Sequence, residues 1–172
     1  MPTYPKIPAG ARLSSGLLTS MLPTELWKAA STDRTSTTTF ADDPDLTTPL
    51  AANAVYRVRF VLLYAALDAV RFKTMWTVPA NASGNRTAVG PDQGAVLSVT
   101  SGGQGRWGVH NFNTSCTYGT RDHITNLCAA IEEATIFTLD AGTLALQWAQ
   151  ATSSASPTRL GIGSSLTVKR VA

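Results

Sequence analysis

Period-two alternation of apolar and polar positions recurs along this chain, and that period marks a β-strand with one buried face. In Ala54–Tyr64, Tyr56, Val58, Phe60, Leu62 and Tyr64 share one face, and Val55, Arg57, Arg59, Val61 and Leu63 share the other. The second face passes from charged to apolar along its length, so one end expects cover on both sides, which a neighbouring subunit would supply. Val70–Val78 follows with Val70, Phe72, Thr74 and Trp76 inward, against Arg71, Lys73 and Met75. The gap Ala65–Ala69 is hairpin-sized, so these two strands are expected to pair. Near the end, Leu144, Leu146 and Trp148 alternate with Thr143, Ala145, Gln147 and Ala149 after an Asp140-Ala141-Gly142 turn. In the closing run Leu166 and Val168 alternate with Ser165, Thr167 and Lys169. These last two strands are expected to pair across the polar loop Ala151–Thr158.

The rest of the chain is less regular. Leu26–Ala30 and the threonine-rich Thr35–Ala41 are strand candidates. Asp42-Asp43-Pro44-Asp45 reads as a solvated turn, since a calcium site needs more oxygen ligands at ordered spacing. Pro79–Gly94 reads as loop, Ala95–Thr100 as a short strand and Ser101–Gly105 as a glycine-rich turn. Arg106–Gly119 reads as an exposed loop in which Trp107, Phe112 and Tyr118 stand among Asn and Gly residues. Such rings are either a receptor or glycan contact or a cap on the open end of a sandwich. His123–Leu139 is ambiguous: Ile124, Leu127, Cys128 and Ile131 are helix-spaced, whereas Ile136, Phe137 and Thr138 favour strand.

The N-terminal residues form a different kind of segment. Pro2, Pro5 and Pro8 make Met1–Ala11 extended by fixing φ and removing amide donors. Leu13, Leu17, Leu18, Met21 and Leu22 then form one helical stripe, started near Ser14/Ser15 and stopped at Pro23. Fewer than three turns are not stable alone, so the helix must dock on its own sandwich or on a partner. With Tyr4 and Ile7, these five residues are the candidate anchor. The expected organisation is an arm with a short anchoring helix over residues 1–30 and a β-sandwich over 31–172.

Composition narrows the function. Apolar residues make up 44% of the 172, enough for a core, and charged residues only 15%. A net charge of +3 spread without runs gives no case for nucleic acid. No apolar run approaches a membrane span, and Met1–Arg12 lacks the apolar core of a signal peptide. In the cytoplasmic product that this implies, Cys116 and Cys128 are expected as free thiols. No catalytic, metal or cofactor set emerges. His110 and His123 could be set beside Ser115 and Asp122 on paper, but no nucleophile elbow supports a triad. With Cys116 and Cys128 the two histidines match no zinc spacing. Gly102, Gly103 and Gly105 lack the Lys-Ser/Thr end of a phosphate loop. Glu132 and Glu133 fall on opposite faces of a strand and cannot act as a glycosidase pair. Three glycosylation sequons, at Asn81, Asn85 and Asn113, mean little without a signal peptide.

Several stretches resemble a known group. A-G-T-L-A-L-Q-W-A-Q followed by S-S-L-T-V-K-R-V looks like the C-terminal end of small β-rich virion proteins of tailed phages that infect actinobacteria. L-S-S-G-L-L-T-S-M-L-P, D-D-P-D-L and P-L-A-A-N-A-V-Y-R-V-R-F extend the likeness towards the N-terminus. These proteins are minor tail, tail-fibre, head-fibre or decoration proteins, and the match is loose over Val78–Asn126. The resemblance places a strand over Leu127–Leu139. It implies an all-β, antiparallel, jelly-roll-like sandwich with an extended arm and one short helix. It also implies a non-enzymatic virion protein that is a homotrimer, docks on other capsid or tail proteins, and has a host surface glycan as a further candidate partner. The expected core is Tyr56, Val58, Phe60, Leu62, Phe72, Trp76, Leu144, Leu146, Trp148, Leu166 and Val168.

Overall fold

The computed structural model describes residues 7–97 and 105–172. They hold one short helix, α1 (Ser15–Ser20), followed by β1 (Thr24–Trp27), β2 (Thr32–Arg34), β3 (Ala41–Leu50) and β4 (Ala54–Ala66). The middle of the chain gives β5 (Phe72–Thr77), β6 (Arg86–Pro91), β7 (Gly105–His110) and β8 (Cys116–Tyr118). Last come β9 (His123–Thr138), β10 (Gly142–Gln150), β11 (Thr158–Leu160) and β12 (Ser165–Arg170).

The pairings nest. β6 pairs β7, β5 pairs β8, β4 pairs β9, β3 pairs β10, β2 pairs β11 and β1 pairs β12, all antiparallel. The chain is one long hairpin, with its tip between β6 and β7. Further ladders, β4 with β12 and β11, β6 with β9, and β5 with β10, roll that hairpin into two sheets. The larger has the order β1-β12-β4-β9-β6-β7, with β11 also pairing β4 and β2 pairing β11, and the smaller is β3-β10-β5-β8. This is an antiparallel β-sandwich with jelly-roll connectivity.

The sheets meet through the faces that alternation selects. All eleven expected core residues are buried, together with Leu46, Tyr64, Ile136 and Leu160. Rings dominate the contact: Phe60 meets Trp76 edge-on at 4.8 Å, and Tyr64 stacks on Phe72 at 4.6 Å. β9 is a strand throughout, and longer than Leu127–Leu139. Cys116 and Cys128 are free and buried.

Alternation says which side chains face the core but not which sheet carries them, and two expected pairings fail for that reason. β4 and β5 lie in different sheets, joined by a crossover at whose end Arg71 takes φ +57°. β10 and β12 likewise lie in different sheets. Asp42–Asp45 is not a turn but part of β3. Between the rungs Asp42–Gln147 and Thr47–Ala145 the register shifts, so Pro44 need not donate to the ladder. Pro79–Gly94 contains β6, and Arg106–Gly119 contains β7 and β8, so neither is simply loop. Thr35–Phe40 carries no strand, Ala95–Leu97 holds only a bridge at Val96, and residues 98–104 lie outside the described part. The sandwich begins at Thr24 rather than residue 31, because β1 belongs to the larger sheet.

Candidate functional site

The expected anchor residues stand clear of the sandwich. Ser14 caps α1, its hydroxyl accepting the Leu17 amide at 3.2 Å, and no residue of the helix is buried. Leu22 is 68% exposed, Leu13 62%, Leu18 52%, and Met21 and Ile7 45% each. Leu17 is half-buried, and Tyr4 lies outside the described residues. All of the stripe that the sequence marks except Leu17 is therefore exposed.

The aromatic segment behaves otherwise. Trp107 sits on β7 opposite Val89, and its side chain lies outside the described part. Phe112 is buried and stacks on Trp76 at 5.8 Å. Tyr118 is buried too, and its hydroxyl donates to Glu132 Oε1 at 2.6 Å. Two of the three rings thus belong to the buried core. The sequence left both readings open, because ring orientation depends on register with β5 and β9.

Two buried ionic networks escaped the sequence reading. In the first, Arg86 of β6 and Glu132 of β9 pair between the sheets, both fully buried. Glu132 also accepts the Thr74 hydroxyl, the Trp76 indole N–H at 2.5 Å and the Tyr118 hydroxyl. Arg86 Nη2 donates to the carbonyls of Thr114 (2.5 Å) and Thr74 (3.1 Å). Burial, then the Glu132 carboxylate, push the Tyr118 hydroxyl well above its ordinary pKa. Burial also raises the Cys116 thiol, although Arg86 opposes it. In the second network Lys28, just after β1, donates to both Asp43 oxygens at 3.0 Å and to Asp45 at 2.7 Å. Asp43 further accepts the Trp148 indole N–H at 3.1 Å, and Arg34 lies 4.0 Å over the Trp148 ring. A buried carboxylate with four donors, three of them from the smaller sheet, ties the two sheets together. Of the remaining chemistry candidates, His110, Ser115 and Cys116 line one small cavity of about 120 Å³, and among the described residues no three His, Cys, Asp or Glu side chains could hold a metal.

The outer face of the larger sheet carries a shallow groove of about 480 Å³ across β12, β4, β9 and β6. Arg57, Arg59 and Lys169 enter it from adjacent strands, with Glu133, Thr135, Thr167, Thr87 and Asn85 around them. Arg57 lies directly opposite Lys169, and Arg59 pairs with Glu133 at 3.0 Å. The alternation in β4 showed Arg57 and Arg59 on one face; only the register adds Lys169.

No protein-family model and no curated protein sequence matches the chain. Among solved structures, one from infectious bursal disease virus, Gx strain, aligns with 87% of this chain at 13% identity and a TM-score of 0.19. The chain spans about 40% of that viral chain. A likeness of that degree supports neither a fold nor a function. Among the described residues no helix is long and apolar enough to cross a membrane.

Proposed function

We propose that this chain is a non-enzymatic structural protein of a tailed-phage virion, a capsid decoration or head-fibre protein or a tail-fibre knob, moored by its N-terminal arm. The observation that carries this reading is the exposed apolar stripe of α1 and its flanks, which the sandwich leaves uncovered. Covering Leu13, Leu18, Met21 and Leu22 on a partner would contribute about 1.5–3 kcal/mol for each fully buried side chain. The resemblance of the terminal motifs to actinobacterial phage virion proteins points the same way, and its usual trimer would make three arms bind as one unit. The sealed, ionically braced interior suits a durable building block better than a catalyst. A glycan module built on the Trp107, Phe112 and Tyr118 segment is the weaker reading, since Phe112 and Tyr118 are buried in the core.

Gold-labelled antibody raised against residues 31–172 and imaged on intact particles of the source phage tests the reading. Label over the head supports a decoration protein or head fibre, and label at the tail tip supports a fibre part. Particles that carry no label overturn it.

A further inference from the structure

The geometry points to the outer groove of the larger sheet as a binding site for an acidic, hydroxyl-bearing saccharide or polyol chain. This site is separate from the arm, and it stands whether or not the protein belongs to a particle.

Three observations carry it. First, the register sets Arg57 directly opposite Lys169, and both side chains are exposed. Like charges facing each other across a ladder are unfavourable. Among the described residues neither has an acidic partner: Glu133 is engaged by Arg59, and Glu25, one strand further out, faces Thr167. An anion between Arg57 and Lys169 would relieve that repulsion and accept charge-assisted hydrogen bonds from both.

Second, the surroundings are hydroxyl-rich. Thr87, Thr135 and Thr167 each both donate and accept, Asn85 adds an amide, and Glu133 can accept from a ligand hydroxyl. Polyols need that mixture around the anionic contact.

Third, the surroundings favour a polyol over other polyanions. Among the described residues no aromatic ring lines the groove, so nucleic-acid bases find no stacking partner there. Both edges of β4, β9 and β12 are already paired, so an acidic peptide cannot add itself as a strand.

The test uses the full chain, titrated calorimetrically with a galacturonate hexamer, a glycerol-phosphate hexamer, neutral maltohexaose and hexaglutamate. At least one of the first two binds, and raising salt from about 50 to about 200 mM weakens it. The double variant Arg57→Ser/Lys169→Ser weakens binding roughly tenfold or more. The same variant melts no lower than the parent, because it removes a repulsion. Binding by only one of the first two probes identifies the anion as sugar carboxylate or polyol phosphodiester. Absence of binding by both at a Kd below about 10 mM, or affinity unchanged in the double variant, overturns the proposal. So does maltohexaose or hexaglutamate binding as tightly, which would make the groove a neutral-sugar site or a contact for an acidic protein segment.

Discussion

Replacing Glu132 by Gln tests the buried bracing most directly. The carboxylate accepts from Arg86, Thr74, Trp76 and Tyr118, so four donors from three other strands converge on two oxygens. Glutamine keeps the shape but replaces one oxygen with an amide that confronts donors with a donor. It also leaves the fully buried Arg86 guanidinium without its counter-charge. Breaking a buried pair from one side costs about 3–5 kcal/mol. For a domain of this size that lowers the melting temperature by about 6–20 °C. Arg86→Met, which removes the cation and leaves the carboxylate, is expected to cost a similar amount. In the double variant neither orphaned charge remains, so the two losses should not add. Urea titrations of the four proteins should show the double variant recovering about 2 kcal/mol or more of the summed single losses. A Glu132→Gln loss below about 1 kcal/mol, or strict additivity of the two, would refute the claim that the pair braces the sandwich.

Further outcomes follow from the same contacts. Lys28→Met leaves Asp43 buried without its cation and should cost about 3–5 kcal/mol, with hydrogen exchange showing early loss of protection in β1. Asp45→Asn at the half-exposed end of that network should cost less than about 1 kcal/mol. Folding holds the Tyr118 and Tyr64 hydroxyls and the Cys116 and Cys128 thiols above their ordinary pKa values, chiefly by burial. Groups raised in the folded state stabilise it below their unfolded pKa and lose that contribution as pH rises. Denaturant titrations should therefore show stability falling above about pH 8.5, where unfolded thiols ionise, and more steeply above about pH 10. A flat profile to about pH 11 would contradict the burial of all four. Gly90→Ala would set a Cβ 2.8 Å from the Tyr118 ring, which Glu132 pins in place, and should cost about 1–3 kcal/mol by thermal melting.

What the sequence revealed, it revealed through alternation. The inward faces of β4, β5, β10 and β12 were legible because one face of each strand is apolar and the other is not. Their assignment to sheets was not legible, because a residue's parity is the same whichever sheet holds its strand. Arg86 and Asp43 show a second limit. An ionic side chain facing inward looks like a loop or a turn until its partner is known, and here the partners lie on distant parts of the chain. Glu132 was nearer to being found: on a strand it shares parity with Cys128, Ala130 and Ile136, so a carboxylate there must have a donor set. Phe112 and Tyr118, set among Asn, Gly and Ser, look like surface rings for the same reason. The short helix and its apolar stripe were legible because helical spacing and bounding prolines are local signals.

Nested pairing has a mechanical consequence. Its outermost rung joins Thr24 to Val168, beside residues Val171 and Ala172, which are tied to Val55 of β4. Tension between Thr24 and Val168 would part the β1–β12 rungs in turn, like a zip. A pull on the leader alone, with the body held, meets something firmer. Directly behind β1, the Lys28 amide donates to Ser164 and its carbonyl accepts from Gly163, while its ammonium grips Asp43 of the other sheet. Load arriving along the leader is thus shared between both layers at a single residue, as a mooring line is shared at a cleat.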